Sequence, residues 1–490
     1  MMAAVVALVG CATFAIAFVR LGVVDRATAG IRVVRTAHAA LASAGMDDDA
    51  KEAAARQAGL ALIATAFDLF VRTFGALAFA GVPVLSASLL GLARSEQVVE
   101  ILSRWDFILV SCVGLFGAHW LFQRHERSRA ARQSDYSAVD RMVHSVAFAA
   151  PFVQLTAADI EDGMFAEAID AVEARPPIFI TSLPRAGTTV LLNAFHSLPG
   201  SATHLYRDMP FVMAPMLWAK LSASMTKPAV LRERAHGDGL KVGYDSPEAF
   251  EEVIWRAFWP EKYGKSEIQL WNDADMREEA TQFFSRHFRK IIALRAGPDK
   301  AKSGEPVRGR YISKNNGNIS RIPLLRSMFP EARIVVPLRD PVEQAASLLR
   351  QHRNFVHRHS EDPFTLRYMR DIGHLEFGAA HTSFAFNGFR ELAGGVDLDQ
   401  PDYWLAYWIA AYRHIAANAD DVVFVDHDAL ASDGQAVMER LTATLGADVP
   451  GTQFGQFFSP VPRRADIDAF GGDLKRMAAD LHAELISRAI

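Results

Sequence analysis

Residues 177–196 carry a strand, a tight loop and a helix in immediate succession, and no other stretch constrains the fold as strongly. Pro177-Ile-Phe-Ile-Thr-Ser182 is a continuous apolar run of the kind needed by a strand buried on both faces. Leu183-Pro-Arg-Ala-Gly-Thr-Thr189 forms the loop, and Val190 to His196 has helical patterning. That order aims backbone N–H groups and a positive helix end at a phosphate. Set against the nucleotide-triphosphatase loop G-x-x-x-x-G-K-S/T, Ser182 stands at the first glycine and Thr188 at the lysine that would reach the β- and γ-phosphates. An ordinary ATP site is therefore not expected. Arg185 supplies a cation within the turn, and its planar guanidinium can hold two oxyanions.

A second strand-to-helix unit lies downstream. Ala332-Arg-Ile-Val-Val-Pro-Leu338 reads as a strand, Arg339-Asp340-Pro341 as the corner, and Val342 to Arg350 as a helix opened by proline in its first turn. Taken alone, Arg-Asp-Pro is an ordinary helix start with Asp340 as its cap. From about Arg124 onward, short β-rich runs alternate with helical patterns. The expected fold there is an α/β domain, P-loop-like and three-layered, with a mostly parallel central sheet.

Together the two units resemble the sulfotransferase family that uses 3'-phosphoadenosine 5'-phosphosulfate (PAPS). That family's Pro-Lys/Arg-Ser-Gly-Thr-Thr loop corresponds to Pro184-Arg185-Ala186-Gly187-Thr188-Thr189, with Ala186 in place of serine. Its Arg followed eight residues later by Ser, which grips the 3'-phosphate, corresponds to Arg339 and Ser347. Lys314-Asn315-Asn316 is similar to the Lys-Ser-Pro or Lys-Asp-Pro element of bacterial members, and Phe329-Pro330-Glu331-Ala332 to the Phe-Pro-Asp-Ala that leads into the second strand. The resemblance covers roughly residues 140–490 and implies PAPS as co-substrate, held by Arg185, Ala186, Gly187, Thr188, Thr189, Arg339 and Ser347.

Sulfuryl transfer shares the logic of phosphoryl transfer, in which positioning and electrostatics do most of the catalysis, and no metal is required in principle. Arg185 and Lys314 are the expected cations on the bridging and leaving oxygens. Relatives use a Glu or His base, in some members a Glu just after the first helix; that stretch here, His204-Leu-Tyr-Arg-Asp208, contains none, so Asp208 is the first candidate. His236 and Glu251 are the alternatives, although the acidic run 245–252 also reads as a capped, solvated helix start. His352, His357, His359, His374 and His381 lack the spacing of a His-Glu-x-x-His metal site and read as solvated or structural. Tyr403-Trp-Leu-Ala-Tyr-Trp408 and Tyr412 suit a helix packed on the sheet, or stacking on adenine. Pro462-Arg463-Arg464 is a candidate for closing the nucleotide site.

The N-terminal part has a different texture. Met1 to Val19 carries no charge, Ala58 to Ala80 and Trp105 to Phe122 are apolar, and hydrophobic residues make up 50% of the chain with mean hydropathy +0.07. Three spans (1–19, 58–80 and 105–122) within a membrane region 1–123 are expected, then a basic linker 124–141 and the sulfotransferase domain 142–490. Gly81 to Ala93, broken by Pro83, reads as re-entrant or interfacial; if it crosses, the topology inverts. Asp68 and Arg72, four apart, form either a packing ion pair or a relay. Lys and Arg number six in 20–56, two in 94–104 and five in 124–141, which orients the N-terminus outward and the large domain to the cytoplasmic side of an inner membrane. Cys11 and Cys112 cannot build a disulfide framework. Beyond residue 141 the balance is 38 basic against 44 acidic residues, unlike a nucleic-acid binder. The expected partners are the membrane and a small-molecule or lipid-linked hydroxyl or amine acceptor, with a P-loop kinase or a non-catalytic scaffold as rivals.

Overall fold

The computed structural model describes residues 2–22, 26, 48–91, 93–103, 138–222, 232–233, 241–297, 306–447, 451–460 and 462–490. The chain divides into two compact units, Met1–Arg132 and Gln133–Ile490. The expected span at 105–122, linker residues 124–137 and His236 lie outside the described residues.

In the first unit, α1 (Met2–Arg20) matches the first uncharged run. The second helix, α2 (Asp48–Leu89), runs unbroken through Pro83, which corrects the expectation of a span at 58–80 followed by a separate segment at 81–93. Apolar side chains continue across the proline, and helix persists with them. Among the described residues one stretch is long and apolar enough to cross a membrane, Ala64–Leu89. A multi-pass region is therefore not carried by what is described. Phe67, Phe70, Phe74 and Phe79 stand exposed along that stretch. Asp68 accepts from Arg72 Nε at 3.0 Å and from Arg26 Nε at 2.6 Å, while Arg72 also donates to the Leu21 carbonyl just past α1. The Asp68–Arg72 pair thus ties α2 to the end of α1.

The second unit is built on five parallel strands: β1 (Val172–Ile180), β2 (Ser201–Ala202), β3 (Val307–Lys314), β4 (Arg333–Leu338) and β5 (Val422–Asp426), in the order β2-β3-β1-β4-β5. β4 and the second half of β1, Ile178–Ile180, are apolar and buried because both faces of the sheet are covered there, whereas Glu173, Arg175 and Arg308 leave the starts of β1 and β3 exposed. Ile178, Ile180, Ile312, Val335 and Val425 face one layer, which contains α3 (Thr188–His196) and α4 (His427–Thr444). Phe179, Ile334 and Val336 face the other, with helices 278–296, 341–361 and 401–417. The α/β three-layer expectation thus holds for this unit. Trp404, Trp408 and Tyr412 of the 401–417 helix are buried, and the Trp408 and Tyr412 rings stack at 4.2 Å, so these aromatics pack the layer.

Parallel pairing brings the strand ends into one row. Ile180 pairs with Lys314 and Leu338 with Asp426, so the loops after β1, β3, β4 and β5 all emerge at the carboxyl edge of the sheet. Open α/β sheets bind ligands at that edge.

Candidate active site

The loop after β1 is held in a strained form. Arg185 has φ 74° and Gly187 φ 92°, and only the second is cheap for its residue type. Strain of this kind persists where surroundings over-determine it. Arg339 Nη1 donates to the Arg185 carbonyl at 2.8 Å, and Arg185 Nε donates to Ser347 Oγ at 3.1 Å. Gln344 Nε2 donates to the carbonyls of Leu183 and Pro184, both at 3.0 Å. Its own Oε1 accepts from Trp408 Nε1 at 2.9 Å and Tyr412 O–H at 3.2 Å. Gln344 is fully buried and fixes the loop from behind, yet nothing in its sequence context marks it. A Cβ on Gly187 would lie 3.1 Å from Cδ2 of His427, so the loop and the start of α4 approach too closely for a side chain there.

Arg339 and Ser347, from the corner and helix that follow β4, therefore meet Arg185 at one place. Asp340 caps the helix that carries Ser347, accepting from Val342 N at 3.0 Å and Glu343 N at 2.9 Å. Burial and the neighbouring Arg185 guanidinium both push the Arg339 pKa down, as expected for a buried cation beside another cation. Arg350 is shifted down in the same way, chiefly by burial, with Arg185 and Arg464 contributing. On the outer side, Arg339, His427, Asp428 and Arg463 line a second cleft, and Arg464 N donates to Glu343 at 2.9 Å. The C-terminal basic loop is thus brought against the second motif.

Pro184, Arg185, Thr188, Thr189, Lys314 and Glu248 line the main cleft. Glu248, 5% exposed, is the acidic residue that sequence reasoning missed; it lies inside the run 245–252 that was read as solvated. That reading is corrected, because Glu248, Glu251 and Glu252 are all buried. Glu248 Oε2 accepts from Tyr206 O–H at 2.6 Å and Oε1 from Ala249 N at 2.8 Å, and Lys314 Nζ lies 3.8 Å away.

Asp208 does not line this cleft, and its candidacy as the base is corrected. It is 2% exposed, accepts from Leu205 N at 2.8 Å and is ion-paired with Arg295. Burial pushes its carboxyl pKa up, but His204 and Arg295 outweigh that and hold it below the ordinary range. Asp208 therefore serves as a cap and buried counter-ion. Glu251, the alternative, accepts from Tyr311 O–H at 2.7 Å in the interior, and burial raises its pKa. It too stands outside the cleft lining.

A second, more apolar cavity adjoins the first, sharing Pro184, Asn316, His374, Glu376 and Phe377 with it. Ile268, Ile319, Leu348, Phe384, Trp404 and Tyr407 make its apolar walls. One side of it is fixed by His381. His381 donates from Nδ1 to the Glu376 carbonyl at 2.6 Å and accepts the Tyr403 hydroxyl at Nε2, at 3.1 Å. Burial drops the His381 pKa to about 4. The unfolded chain takes up a proton near pH 6.5 that the native ring refuses, so this contribution is complete above that pH and lost as pH falls toward 4. Stability is expected to drop by about 2 kcal/mol between pH 7 and pH 5 from this group, and urea unfolding of His381→Asn should show a correspondingly flatter pH dependence.

Residues 176–377 match the family model described as "Sulfotransferase family". That range contains Arg185, Glu248, Lys314, Arg339 and Ser347, and the chain is a sulfotransferase enzyme. No curated protein matches the sequence. Among solved structures, it is similar to a sulfotransferase from Mycobacterium tuberculosis at 17% identity, covering 68% of this chain and 83% of that one with TM-score 0.38. A sulfotransferase from Mycobacterium avium is similar at 15% identity, 68% being replaced by 73% coverage here and 88% there, again with TM-score 0.38. One from Alicyclobacillus acidocaldarius has 14% identity, with 64% and 94% covered and TM-score 0.29.

Proposed function

We propose that the chain transfers the sulfuryl group of PAPS to a hydroxyl or amine acceptor near a membrane surface, releasing adenosine 3',5'-bisphosphate. The observation that carries this reading is the junction of the two motifs: Arg339 holds the Arg185 carbonyl while Arg185 reaches Ser347. Three polar groups that would grip a phosphosulfate and a 3'-phosphate are thereby linked in one hydrogen-bonded chain. In the reaction, the acceptor oxygen attacks sulfur and the new O–S bond forms as the bond from sulfur to the bridging oxygen breaks. The bisphosphate leaves with that electron pair, and the acceptor proton passes to Glu248. Lys314 and Arg185 would meet the charge that grows on the bridging oxygen, in a site whose donors are already oriented. Thr188 in place of a lysine weighs against ATP.

The stretch Ala64–Leu89 supports an anchor in the inner membrane, with the catalytic unit on the cytoplasmic side as the distribution of Lys and Arg suggests. The apolar cavity beside the cleft favours an acceptor with an apolar body, such as a lipid or glycolipid. Calorimetric titration of the full chain with adenosine 3',5'-bisphosphate, ADP and ATP tests the donor. Binding should require the 3'-phosphate and weaken at least tenfold in Arg339→Ala, with thermal unfolding confirming that the variant is folded. Equal binding of ATP, or no binding of any of the three, would sink the PAPS reading.

A further inference from the structure

His359 closes the far end of the catalytic cleft, in the helix Pro341–Glu361, and is 5% exposed. One edge of its ring is occupied. The Ala379 backbone N–H donates to Nδ1 at 3.1 Å, and a Cβ on Gly378 would lie 2.6 Å from Nδ1 and 2.8 Å from Cε1. A ring nitrogen that accepts a hydrogen bond carries no proton, so in the neutral ring the proton sits on Nε2. Burial, with Arg370 and His352 nearby, lowers the ring's pKa and keeps it neutral. Nε2 is buried without a hydrogen-bond partner among the described residues. Several buried polar atoms are left in that state, and His359 Nε2 is the one on a residue that lines the cleft. A buried donor without a partner is costly, and at a site wall the simplest account is that a ligand completes it.

Its place along the helix says which ligand. Ser347, against Arg185, lies twelve residues earlier, about 18 Å along the axis. His359 is therefore at the end remote from the phosphate loop, where the acceptor would sit. The other polar side chains toward that end offer acceptor atoms. Glu376 is a carboxylate, and His374 gives its Nε2–H to the Ala249 carbonyl at 2.9 Å, leaving Nδ1 to accept. Glu248 is a second carboxylate in the same cleft. An anionic acceptor would oppose two carboxylates. An alcohol with a single hydroxyl, or an amine whose one lone pair is committed to the attack on sulfur, brings no further oxygen to accept from His359. A molecule with several hydroxyls both donates to the carboxylates and accepts from His359, while Phe355, Met369 and Phe377 supply apolar surface for its C–H groups.

Resting on the sulfuryl-transfer reading, we infer that the acceptor is an uncharged polyol of the sugar type, and that His359 selects it by donating Nε2–H to one of its oxygens. Octyl β-D-glucoside and 1-octanol share an apolar tail and differ in the polyol. With PAPS and the full chain, the glucoside should have the higher kcat/KM. Asn at 359 reproduces the Nδ1 acceptor and lacks the Nε2 donor, whereas Gln reproduces the donor and lacks the acceptor. His359→Asn should therefore cut the preference for the glucoside about tenfold, chiefly through its KM, with little change in melting temperature. His359→Gln should keep most of the preference and melt lower. The inference is overturned if His359→Asn keeps the preference, if the two variants behave in the opposite order, or if wild type prefers octanol. It is also overturned if neither alcohol is sulfated by a chain that binds adenosine 3',5'-bisphosphate, an outcome that leaves the donor reading standing. Failure to bind the bisphosphate would remove the donor reading and this inference with it.

Discussion

Replacing Glu248 with glutamine is expected to lower kcat for sulfuryl transfer by about 10²–10⁴-fold, the range spanned by a positioned general base. The substitution conserves shape, and its one oxygen can keep the bond from Ala249 N while the Tyr206 hydroxyl, which now donates to the other carboxylate oxygen, turns to accept from the new amide. What it removes is the capacity to take the acceptor's proton. Donor binding should be almost unaffected, since the groups proposed to hold the phosphates lie in the loop after β1 and at Arg339 and Ser347. Calorimetry with adenosine 3',5'-bisphosphate beside steady-state turnover separates the two effects. A loss of less than tenfold in kcat would return the base to some other group, whereas a matching loss of bisphosphate affinity would make Glu248 a structural member of the donor site. Asp208→Asn provides the contrast. Its carboxylate is tied to Arg295 in the interior, so damage there should appear first in stability.

The parts of the site that are local in sequence were legible, and the parts assembled by packing were not. The strand and helix around Arg185 are twenty residues written in order, 177–196, and the Asp340–Pro341 corner announces its own helix cap. The parallel sheet then brings Lys314 beside Ile180, a pairing across more than a hundred residues that the Lys-Asn-Asn resemblance alone suggested. Glu248 escaped notice because a run of acids near a helix start is ordinarily solvated; here tertiary packing buries three of them, with Tyr206 and Lys314 beside Glu248, Tyr311 on Glu251 and Arg321 on Glu252. Gln344 was invisible for a related reason. A buried amide that clamps two loop carbonyls has no periodicity, charge or spacing to betray it. Pro83 misled in the opposite direction. A proline commonly ends a helix, but α2 passes through it because apolar residues on both sides keep the same helical environment.

Lys314→Met is expected to reduce kcat by about 10²–10³-fold, the scale seen when one oriented group facing a developing charge is removed. Methionine fills a similar volume, and Lys314, 8% exposed at the carboxyl end of β3, sits where that volume matters. The ammonium group lies 3.8 Å from Glu248 and in the same cleft as Arg185 and Thr188. A cation there can meet the negative charge on the bridging oxygen as sulfur departs, and it can hold the base in line with the acceptor. These two roles make different demands on the Glu248→Gln/Lys314→Met double variant. If Lys314 acts through Glu248, the double variant should be little worse than Glu248→Gln alone; if it acts on the leaving oxygen, the two losses should approach a product. Leaving-oxygen stabilisation is the expected outcome, because the bisphosphate product lacks the sulfuryl group and should bind the Lys314→Met chain nearly as well as wild type. Strong loss of bisphosphate affinity would instead make Lys314 a ground-state phosphate ligand and shift the whole burden of leaving-oxygen stabilisation to Arg185, whose strained backbone holds its guanidinium between the loop and Ser347.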